Sequence, residues 1–564
     1  MDWPRNSAAL RALISAALLA LPAVPSAQEA PAQGARSPDP PAQPAADQAP
    51  GQEAETLGES YILYSGKRLL LLGLVAEAQV MEARGYHYDA AVSLAAVLES
   101  GEKDQPYYLE AELSMGRNLL AAGLYYCAFL YYSAIVERGP ESPAYLQTIE
   151  PMATLLDKLP GLDAVRETVA RYDPAVYPPD LASQLAFAAA TVRVEQEELD
   201  AAQALLGRVR VEDAEWYAKA RYLLGTLHAR RNKARESLDA FKDVLRVAAG
   251  HQALTPTLRE MRARALLAVA RIFYSTGDYQ TALRYYAKLD RLSNEWMQAL
   301  FETSWSMYRL GRFDKALGNL QTLTSPYYAD GFFPESYVVE AVILFTNCHY
   351  EEAVVAVDAL LQDYEPLLQE MQVQLAAHED PADFYRWLAS LAGSRGKQFS
   401  ARLKRIFNVV AAEKKVRRRM AVIPVLDSEK KYLERYVAAA PQCELARSLL
   451  QRLDRARDDA VVAAGELAWL RLDERRRELK RQIVQAMRVK YEALIALKKE
   501  LEGTASSRAQ AEGPRFAPKN PDEYLAWPFE GEYWRDELDA YSFHVTNLCN
   551  VEGAPAPSDT EVTR

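Results

Sequence analysis

The sequence predicts an all-α protein built from a long array of helical repeats, and three observations support this. Ala and Leu dominate an apolar share of 49%, and 32 tyrosines are present, whereas Val and Ile form no sustained alternating runs of the kind that strands need. Small residues recur at near-constant spacing through the first two thirds of the chain. Long, charged stretches with helical apolar spacing follow. With 564 residues the chain is long enough for several domains.

The N-terminus is typical of an exported protein. Arg5 and Arg11 precede an apolar run from Ala12 to Ala23, and small residues follow as far as Ala27. A run of about a dozen apolar residues is shorter than the roughly 20 that a bilayer core requires, which favours a cleaved signal peptide over a retained anchor. No cysteine follows the run to carry a lipid. We therefore expect residues 1–27 to be a signal peptide, cut between Ala23 and Ala27, and the protein to be periplasmic.

Two terminal segments are predicted to be disordered. Residues 28–56 are mainly Pro, Ala, Gln and Asp, and residues 551–564 are similarly polar, so ordering them would cost backbone entropy with little apolar burial in return. The formal net charge of −11 and the pI near 5.4 argue against nucleic-acid binding, which needs an excess of Lys and Arg.

The repeats are clearest between residues 266 and 317. Gly277 and Tyr279 precede Ala282, and 34 residues later Gly311 and Phe313 stand in the same relation to Ala316. A two-helix unit needs a small residue where its helices cross, a glycine at the turn and an aromatic side chain to fill the gap. Successive small positions are 34 to 37 residues apart, except for one interval of 45 that implies an insertion near residues 250–256. The eight positions are Ala91, Ala128, Val165, Ala202, Ser237, Ala282, Ala316 and Ala353. A solenoid of about eight units is predicted over residues 57–363.

On these residues the chain resembles the tetratricopeptide-repeat (TPR) family. The family's signature positions are occupied by Gly116, Gly225, Tyr279, Phe313, Ala282, Ala316, Phe241 and Tyr286. Cys348 departs from the family pattern because it stands where a turn glycine is expected. The resemblance implies a right-handed superhelical solenoid whose first helices line a concave groove for peptides or protein subunits.

The family's groove positions in this chain give a candidate partner site. Arg and aromatic residues, the types enriched at binding hot spots, predominate in it. Its members are Arg117, Tyr222, Thr226, Arg230, Arg264, Arg271, Tyr274, Phe301, Trp305, Tyr308, Arg309, Val342 and Phe345. An extended or helical peptide with acidic groups is the expected ligand. The alternative is that Trp305 and Phe301 pack against the next repeat.

Helical patterns continue after residue 363, where the repeat period fades. Residues 364–424 are predicted to be helical up to a break at Pro424. Residues 425–502 carry a narrow apolar stripe, which predicts one or two long helices packed as a hairpin or coiled coil. A basic run at 397–419 is predicted either to contact anionic lipid or an acidic partner, or to be a solvated helix face. Its members are Lys397, Arg402, Lys404, Arg405, Lys414, Lys415, Arg417, Arg418 and Arg419.

The last part of the chain combines a polar linker at 503–521 with a tail dense in aromatic residues at 522–550. Trp527, Phe529, Tyr533 and Trp534 are predicted to dock this tail onto the helices, because such residues aggregate when exposed; the alternative is that they bind a partner. The ending resembles the tails of exported proteobacterial TPR proteins, including periplasmic components of gliding-motility machinery. That resemblance implies a client in an envelope-spanning assembly.

The four cysteines could form disulfides in an oxidising compartment. Cys127 and Cys348 are six repeats apart and are expected to be too distant to pair. Cys443 and Cys549 are the expected pair, and their bond would clip the tail to the helical region. Four unpaired thiols are the alternative.

Sequence motifs for catalysis are missing. The six histidines show no zinc-binding spacing, and the chain contains neither a Gly-rich phosphate loop nor a Gly-x-Ser-x-Gly turn. No catalytic residue, metal or cofactor is therefore predicted. A non-catalytic scaffold for protein partners is favoured over the second hypothesis, an accessory protein or enzyme for cell-wall or polysaccharide handling.

Overall fold

The computed structural model describes residues 53–101, 103, 105–328, 331–393, 400–411, 413–503, 532–543 and 545–549, and only the backbone of residues 53–66, 392–393 and 503. These residues form twenty α-helices and three short 3-10 helices, and no strand occurs among them. The prediction of an all-α fold is confirmed. The predicted signal peptide, the C-terminal segment and most of both linkers lie outside the described residues.

Sixteen of the described helices follow one another as eight helix–turn–helix pairs. The pairs are α1 (Glu53–Ala83) with α2 (His87–Glu99), α3 (Pro106–Ala121) with α4 (Tyr125–Glu137), α5 (Ile149–Lys158) with α6 (Asp163–Val169), α7 (Ala182–Glu195) with α8 (Leu199–Leu206), α9 (Ala214–Arg230) with α10 (Ala234–Ala249), α11 (Pro256–Ser275) with α12 (Tyr279–Tyr286), α13 (Trp296–Arg309) with α14 (Phe313–Leu323), and α15 (Pro334–Thr346) with α16 (Tyr350–Ala377).

Each of these pairs turns at a residue with positive φ. The eight turn residues are Gly85, Gly123, Gly161, Glu197, Asn232, Gly277, Gly311 and Cys348. They precede the eight small residues found in the sequence by four to six positions. Cys348 has a φ of 61°, so it adopts the left-handed conformation despite the steric cost that any residue with a Cβ carries there.

Close helix contact within a pair depends on glycine facing an aromatic ring. A Cβ on Gly116 would lie 2.7 Å from the ring of Tyr132, and a Cβ on Gly225 would lie 2.7 Å from the ring of Phe241. Both rings are buried. The glycine and the aromatic residue of the repeat pattern therefore form one packing unit.

Four further helices complete the described fold: α17 (Pro381–Gly393), α18 (Ala401–Ala411), α19 (Lys414–Ala439) and α20 (Glu444–Gly503). The break predicted at Pro424 is wrong, because Pro424 lies inside α19. Val422, Ile423 and Leu426 around it are fully or almost fully buried. Their packing offsets the backbone hydrogen bond that proline cannot make.

The predicted helical hairpin is formed by α19 and α20. Arg457 Nε donates to Asp427 Oδ1 at 2.5 Å, and the Lys430 ammonium lies 2.6 Å from Asp454 Oδ1. The two pairs are in antiparallel register. The second arm is much longer, because α20 is a single helix of 60 residues.

The chain divides into two compact units. Of the described residues, the first unit contains those up to Lys158 with Arg171–Tyr177 and Lys431–Gln451. The second contains Leu159–Ala170 and the described residues of Pro178–Lys430 and from Arg452 onward. The hairpin therefore contributes residues to both. In the first unit the Tyr88 ring lies 5.6 Å from that of Tyr432 and 4.2 Å from that of Tyr436.

In the second unit α20 shares a core with the repeats. Ala468, Leu472 and Leu479 belong to one buried cluster with residues of α13 to α18. Trp469 Nε1 also donates to the carbonyl oxygen of Leu375 on α16 at 3.3 Å. The narrow apolar stripe of α20 therefore packs on the repeat array as well as within the hairpin. In the described part of the chain, no helix has both the length and the apolar character that a membrane span needs.

Candidate functional site

Ion pairs join the first helices of consecutive repeats in the second unit. Arg264 Nε on α11 donates to Glu295 Oε1 at 3.1 Å, next to the start of α13. Arg271 Nε, also on α11, donates to both carboxylate oxygens of Glu302 on α13, at 3.0 and 2.9 Å. Arg264 and Arg271 are predicted to bind a partner protein, but in the structure both form ion pairs with glutamates of the same chain.

Glu302 is the centre of the larger network. It accepts hydrogen bonds from the Tyr286 hydroxyl at 3.0 Å and from Gln298 Nε2 at 2.8 Å, besides those of Arg271. Burial alone would lower the pKa of Arg271, but the adjacent Glu302 carboxylate more than offsets this and the pKa lies above its ordinary value. This network holds two repeats together.

The aromatic residues of the predicted groove are mostly packing residues. Tyr274 and Phe301 are each only 8% exposed, and the Phe301 ring lies 6.2 Å from that of Phe333 in the next repeat. The Tyr222 ring packs at 5.3 Å from that of Phe241. Phe301 therefore packs against the next repeat, which is the alternative given for it above. Tyr274 is buried and packs within its own repeat, with its ring 5.2 Å from that of Tyr279.

The remaining aromatic residues of the groove set are half-buried. Trp305 donates a hydrogen bond to the carboxylate of Glu335 on α15, and its ring lies 5.8 Å from that of Tyr308. The Tyr308 ring in turn lies 5.8 Å from that of Phe313. These contacts hold the rings in place within and between repeats.

Three arginines of the groove set lie nearer the surface. Arg309 is exposed, and its Nε donates to the Tyr279 hydroxyl at 3.0 Å. Arg230 Nη2 donates to Glu197 Oε1 at 3.0 Å. In the first unit Arg117 is exposed and pairs with Glu110 at 3.2 Å. Partner binding by these residues stays a prediction.

The start of α19 contacts the repeats at two places, the N-terminal end of α6 and the first helix α11. Arg419 Nη2 donates to Asp163 Oδ2 on α6 at 2.5 Å, and Lys414 Nζ lies 3.7 Å from Glu260 Oε1 on α11. A Cβ on Gly161 would overlap the carbonyl oxygen of Arg418. The basic residues at 414–419 and the acidic residues Asp163 and Glu260 are all visible in the sequence, and their opposite charges are the signal that could have indicated this contact.

Other members of the basic run are placed differently. Arg405 Nη1 donates to Asp363 Oδ1 at 3.0 Å, whereas Arg402 and Lys404 are exposed. Lys397 lies outside the described residues. The run is therefore divided between internal ion pairs and a solvated surface.

Two carboxyl groups on α15 have strongly raised pKa values. The pKa of Glu335 is raised to about 7, mainly by burial and then by the nearby Glu478 carboxylate of α20, against the opposing effect of the Trp305 hydrogen bond. Burial alone raises the pKa of Glu340 to about 7. Both groups thus titrate near neutral pH.

The described part of the tail, residues 532–543 and 545–549, crosses α14 and ends at the turn after α15. The Asp539 amide donates to Thr322 Oγ1 and the Phe543 amide to the carbonyl oxygen of Asp314, each at 2.9 Å. Asp539 also pairs with Arg291. A Cβ on Gly318 would overlap the carbonyl oxygen of Tyr541, so the tail can approach α14 only because residue 318 is glycine.

The end of the tail is covalently attached to the repeats. Cys549 forms a disulfide with Cys348, with a Cα–Cα distance of 5.2 Å, and the Leu548 amide donates to the carbonyl oxygen of Asn347 at 3.0 Å. The expected Cys443–Cys549 pair is therefore wrong, and Cys443 remains a thiol. The tail follows α14 to the α15–α16 turn, which brings Cys549 to Cys348.

The aromatic residues of the tail have different environments. Gln321 Nε2 donates to the Tyr533 hydroxyl at 3.2 Å, whereas the Trp534 side chain is 54% exposed. The backbone amide of Trp534 donates to the Tyr541 hydroxyl at 2.8 Å, so its main chain is fixed. Trp527 and Phe529 lie outside the described residues.

Within the described ranges, no three His, Cys, Asp or Glu side chains are grouped as a metal site. No protein-family model and no curated protein matches the chain. Among solved structures it is similar to a tetratricopeptide repeat protein from Parabacteroides merdae, with 14% identity over 52% of this chain and 93% of that one and a TM-score of 0.23. It is also similar to the apo form of RapI, with 11% identity over 69% of this chain and 97% of that one and a TM-score of 0.28. Because these scores are low, the fold assignment rests on the helix order, turn spacing and packing described above.

Proposed function

We propose that this chain is a non-catalytic scaffold for protein partners, exported to the periplasm of a bacterial cell. In this proposal the repeats hold the C-terminal hairpin and tail, and the tail presents a contact surface to a subunit of an envelope assembly. The TPR resemblance, together with the eight helix–turn–helix pairs, supports a role in binding proteins. The apolar N-terminal run of the sequence supports export.

One observation carries this proposal: the described tail is firmly anchored yet leaves three large apolar side chains exposed. Trp534, Phe543 and Leu548 are 54%, 46% and 48% exposed. The disulfide at Cys549 and the backbone hydrogen bonds of Phe543 and Leu548 fix the segment that carries them. Apolar side chains on a preorganised backbone lose little conformational entropy when they bind, and Trp is the commonest hot-spot residue.

The placement of the inner arginines also supports a structural role for the repeats. Arg264 and Arg271 form ion pairs between repeats, and α19 contacts the first helix α11 through Lys414 and Glu260. A partner is therefore expected to contact the composite of repeats, hairpin and tail. A motility-type client follows from the resemblance of the tail and forms the narrower part of the proposal.

The test is an affinity pull-down from crosslinked cell envelopes with the full mature protein. Trp534→Ala is compared with Val211→Ala, because the Val211 side chain is also 54% exposed but lies away from the tail. We expect defined envelope proteins to be captured by the wild type and by Val211→Ala and to be depleted at least several-fold with Trp534→Ala. The absence of any captured protein would refute the scaffold. Capture that is equal for all three proteins would refute the tail as the contact surface.

A further inference from the structure

Five cations from three helices meet beside the N-terminus of α6. Arg166 lies on α6, Lys415, Arg418 and Arg419 lie on the first two turns of α19, and Arg471 lies on α20; we call these five residues the cation cluster. Arg419 reaches Asp163, and the Arg418 carbonyl packs on Gly161, so α19 lies directly against α6. Lys415 is within electrostatic range of Arg471, Arg166 and Arg419.

Carboxylates neutralise only part of this charge. Arg166 is paired with Asp163 and with Glu195 Oε1, the latter at 3.0 Å, and Arg471 is paired with Glu474 at 2.6 Å. Five cations thus face three carboxylates, which leaves an excess of two positive charges. Among the described residues, neither Lys415 nor Arg418 forms an ion pair, although others on α19 do.

The surroundings of Lys415 and Arg418 disfavour their charged forms. Burial lowers the pKa of Lys415, and Arg471, Arg166 and Arg419 lower it further against the opposing effect of Glu195. The pKa of Arg418 is also lowered, first by burial and then by Arg166. An added negative charge at this position would therefore stabilise the folded protein.

Two buried donors of the cluster also have no acceptor. Arg166 and Arg471 are only 6% and 8% exposed, and the Nε atom of each is buried without a hydrogen-bond partner. A buried donor of a charged group is costly when unsatisfied, so an acceptor from outside the chain would be bound favourably. The Lys415 side chain is partly covered but reaches the surface, so the cluster meets solvent at this residue.

We propose that the cation cluster is a binding site for a phosphate-type oxyanion. A dianion matches the excess of two positive charges, and guanidinium and ammonium groups are the side chains that donate hydrogen bonds to phosphate oxygens. The positive surface continues to Lys414, whose pKa is lowered by burial and by Arg264, Lys219 and Arg417, against the effect of Glu260. The site is independent of the tail contact proposed above.

Isothermal titration calorimetry of the full mature protein at constant ionic strength tests this site. The probes are inorganic phosphate, glycerol 3-phosphate as a soluble phosphate ester, and a hexaglutamate peptide. We expect one phosphate to bind with a dissociation constant below about 1 mM. Lys415→Met/Arg418→Met should weaken binding at least tenfold. The matched control Arg402→Met/Lys404→Met removes two exposed cations of the same basic run and should leave binding unchanged.

The three probes distinguish the possible ligands. Binding of inorganic phosphate alone identifies a free anion as the ligand, and equal binding of glycerol 3-phosphate identifies a phosphate ester; both support the site. Binding of hexaglutamate alone, no binding of any probe, or equal weakening in the control variant would overturn it. Urea unfolding without phosphate provides a second measurement, because removal of poorly compensated cations should leave the midpoint unchanged or higher. If the double variant is instead less stable, phosphate binding is measured with the single variant Lys415→Met, because this exposed residue can be replaced without a loss of packing. Unchanged binding by that variant would overturn the site.

Discussion

Replacement of Cys549 by Ser should destabilise the second unit strongly. The Cys348–Cys549 bond closes a loop of 201 residues in the unfolded chain. The chain-entropy relation converts a loop of this length into about 5 kcal/mol at 25 °C, and disulfides commonly contribute about 2–4 kcal/mol. We therefore expect Cys549→Ser to lower the free energy of unfolding by about 2–5 kcal/mol relative to the oxidised wild type.

Urea unfolding under non-reducing conditions measures this loss, and Cys443→Ser is the matched control because Cys443 is a thiol outside the disulfide. Peptide mapping of the same samples should recover Cys348 and Cys549 in one linked fragment. Unchanged unfolding of Cys549→Ser, or a linked fragment that contains Cys443, would refute the assignment. Addition of a reducing agent should bring the wild type to the midpoint of the variant.

Three more predictions concern the packing of the second unit. Gly318→Ala should undock the tail, since a Cβ would overlap the Tyr541 carbonyl oxygen, and hydrogen exchange at the Asp539 amide should accelerate; Gly73→Ala, where no atom lies within 4 Å, should not change it. Glu302→Gln should cost about 1.5–3 kcal/mol of stability because Arg271 loses a charged acceptor, and an unchanged urea midpoint would contradict the role of Glu302. Glu335 binds its proton more tightly in the folded state, with a pKa raised to about 7, so its contribution to stability is lost as pH rises from about 4.5 to 7. Glu335→Gln should therefore be more stable than wild type at pH 8, by up to about 3 kcal/mol, and equal to it near pH 4, which urea midpoints at both pH values can check.

The repeat array is predictable because its determinants are local. Glycine at a turn, a small residue five positions later and an aromatic ring that covers a helical glycine all lie within one unit of the sequence, as with Gly311 and Ala316. The same spacing located the turn at Cys348, even though cysteine is unusual in a left-handed conformation. Helix propensity and apolar spacing predicted long helices packed as a hairpin or coiled coil over 425–502, although the first arm begins earlier, at Lys414.

The candidate site was less predictable because it depends on contacts between residues far apart in the chain. Phe301 and Trp305 are of the same residue types whether they line a groove or fill the space between repeats, so composition cannot separate these cases. Cys549 lies next to Cys348 because the tail docks along α14. No residue close to either cysteine in the sequence indicates that docking. The contact of Arg419 with Asp163 likewise joins residues 256 positions apart.

The disulfide at the end of the tail makes a covalent ring of the chain from Cys348 to Cys549, and α16 to α20 lie within it. A protease that cuts once inside this ring cannot release a fragment, because both ends of the cut chain stay attached through the sulfur bridge. The nicked molecule would migrate at full mass on a non-reducing gel and separate into two pieces only after reduction. A protein of this design can therefore survive a single cleavage of its long helices without losing its C-terminal half.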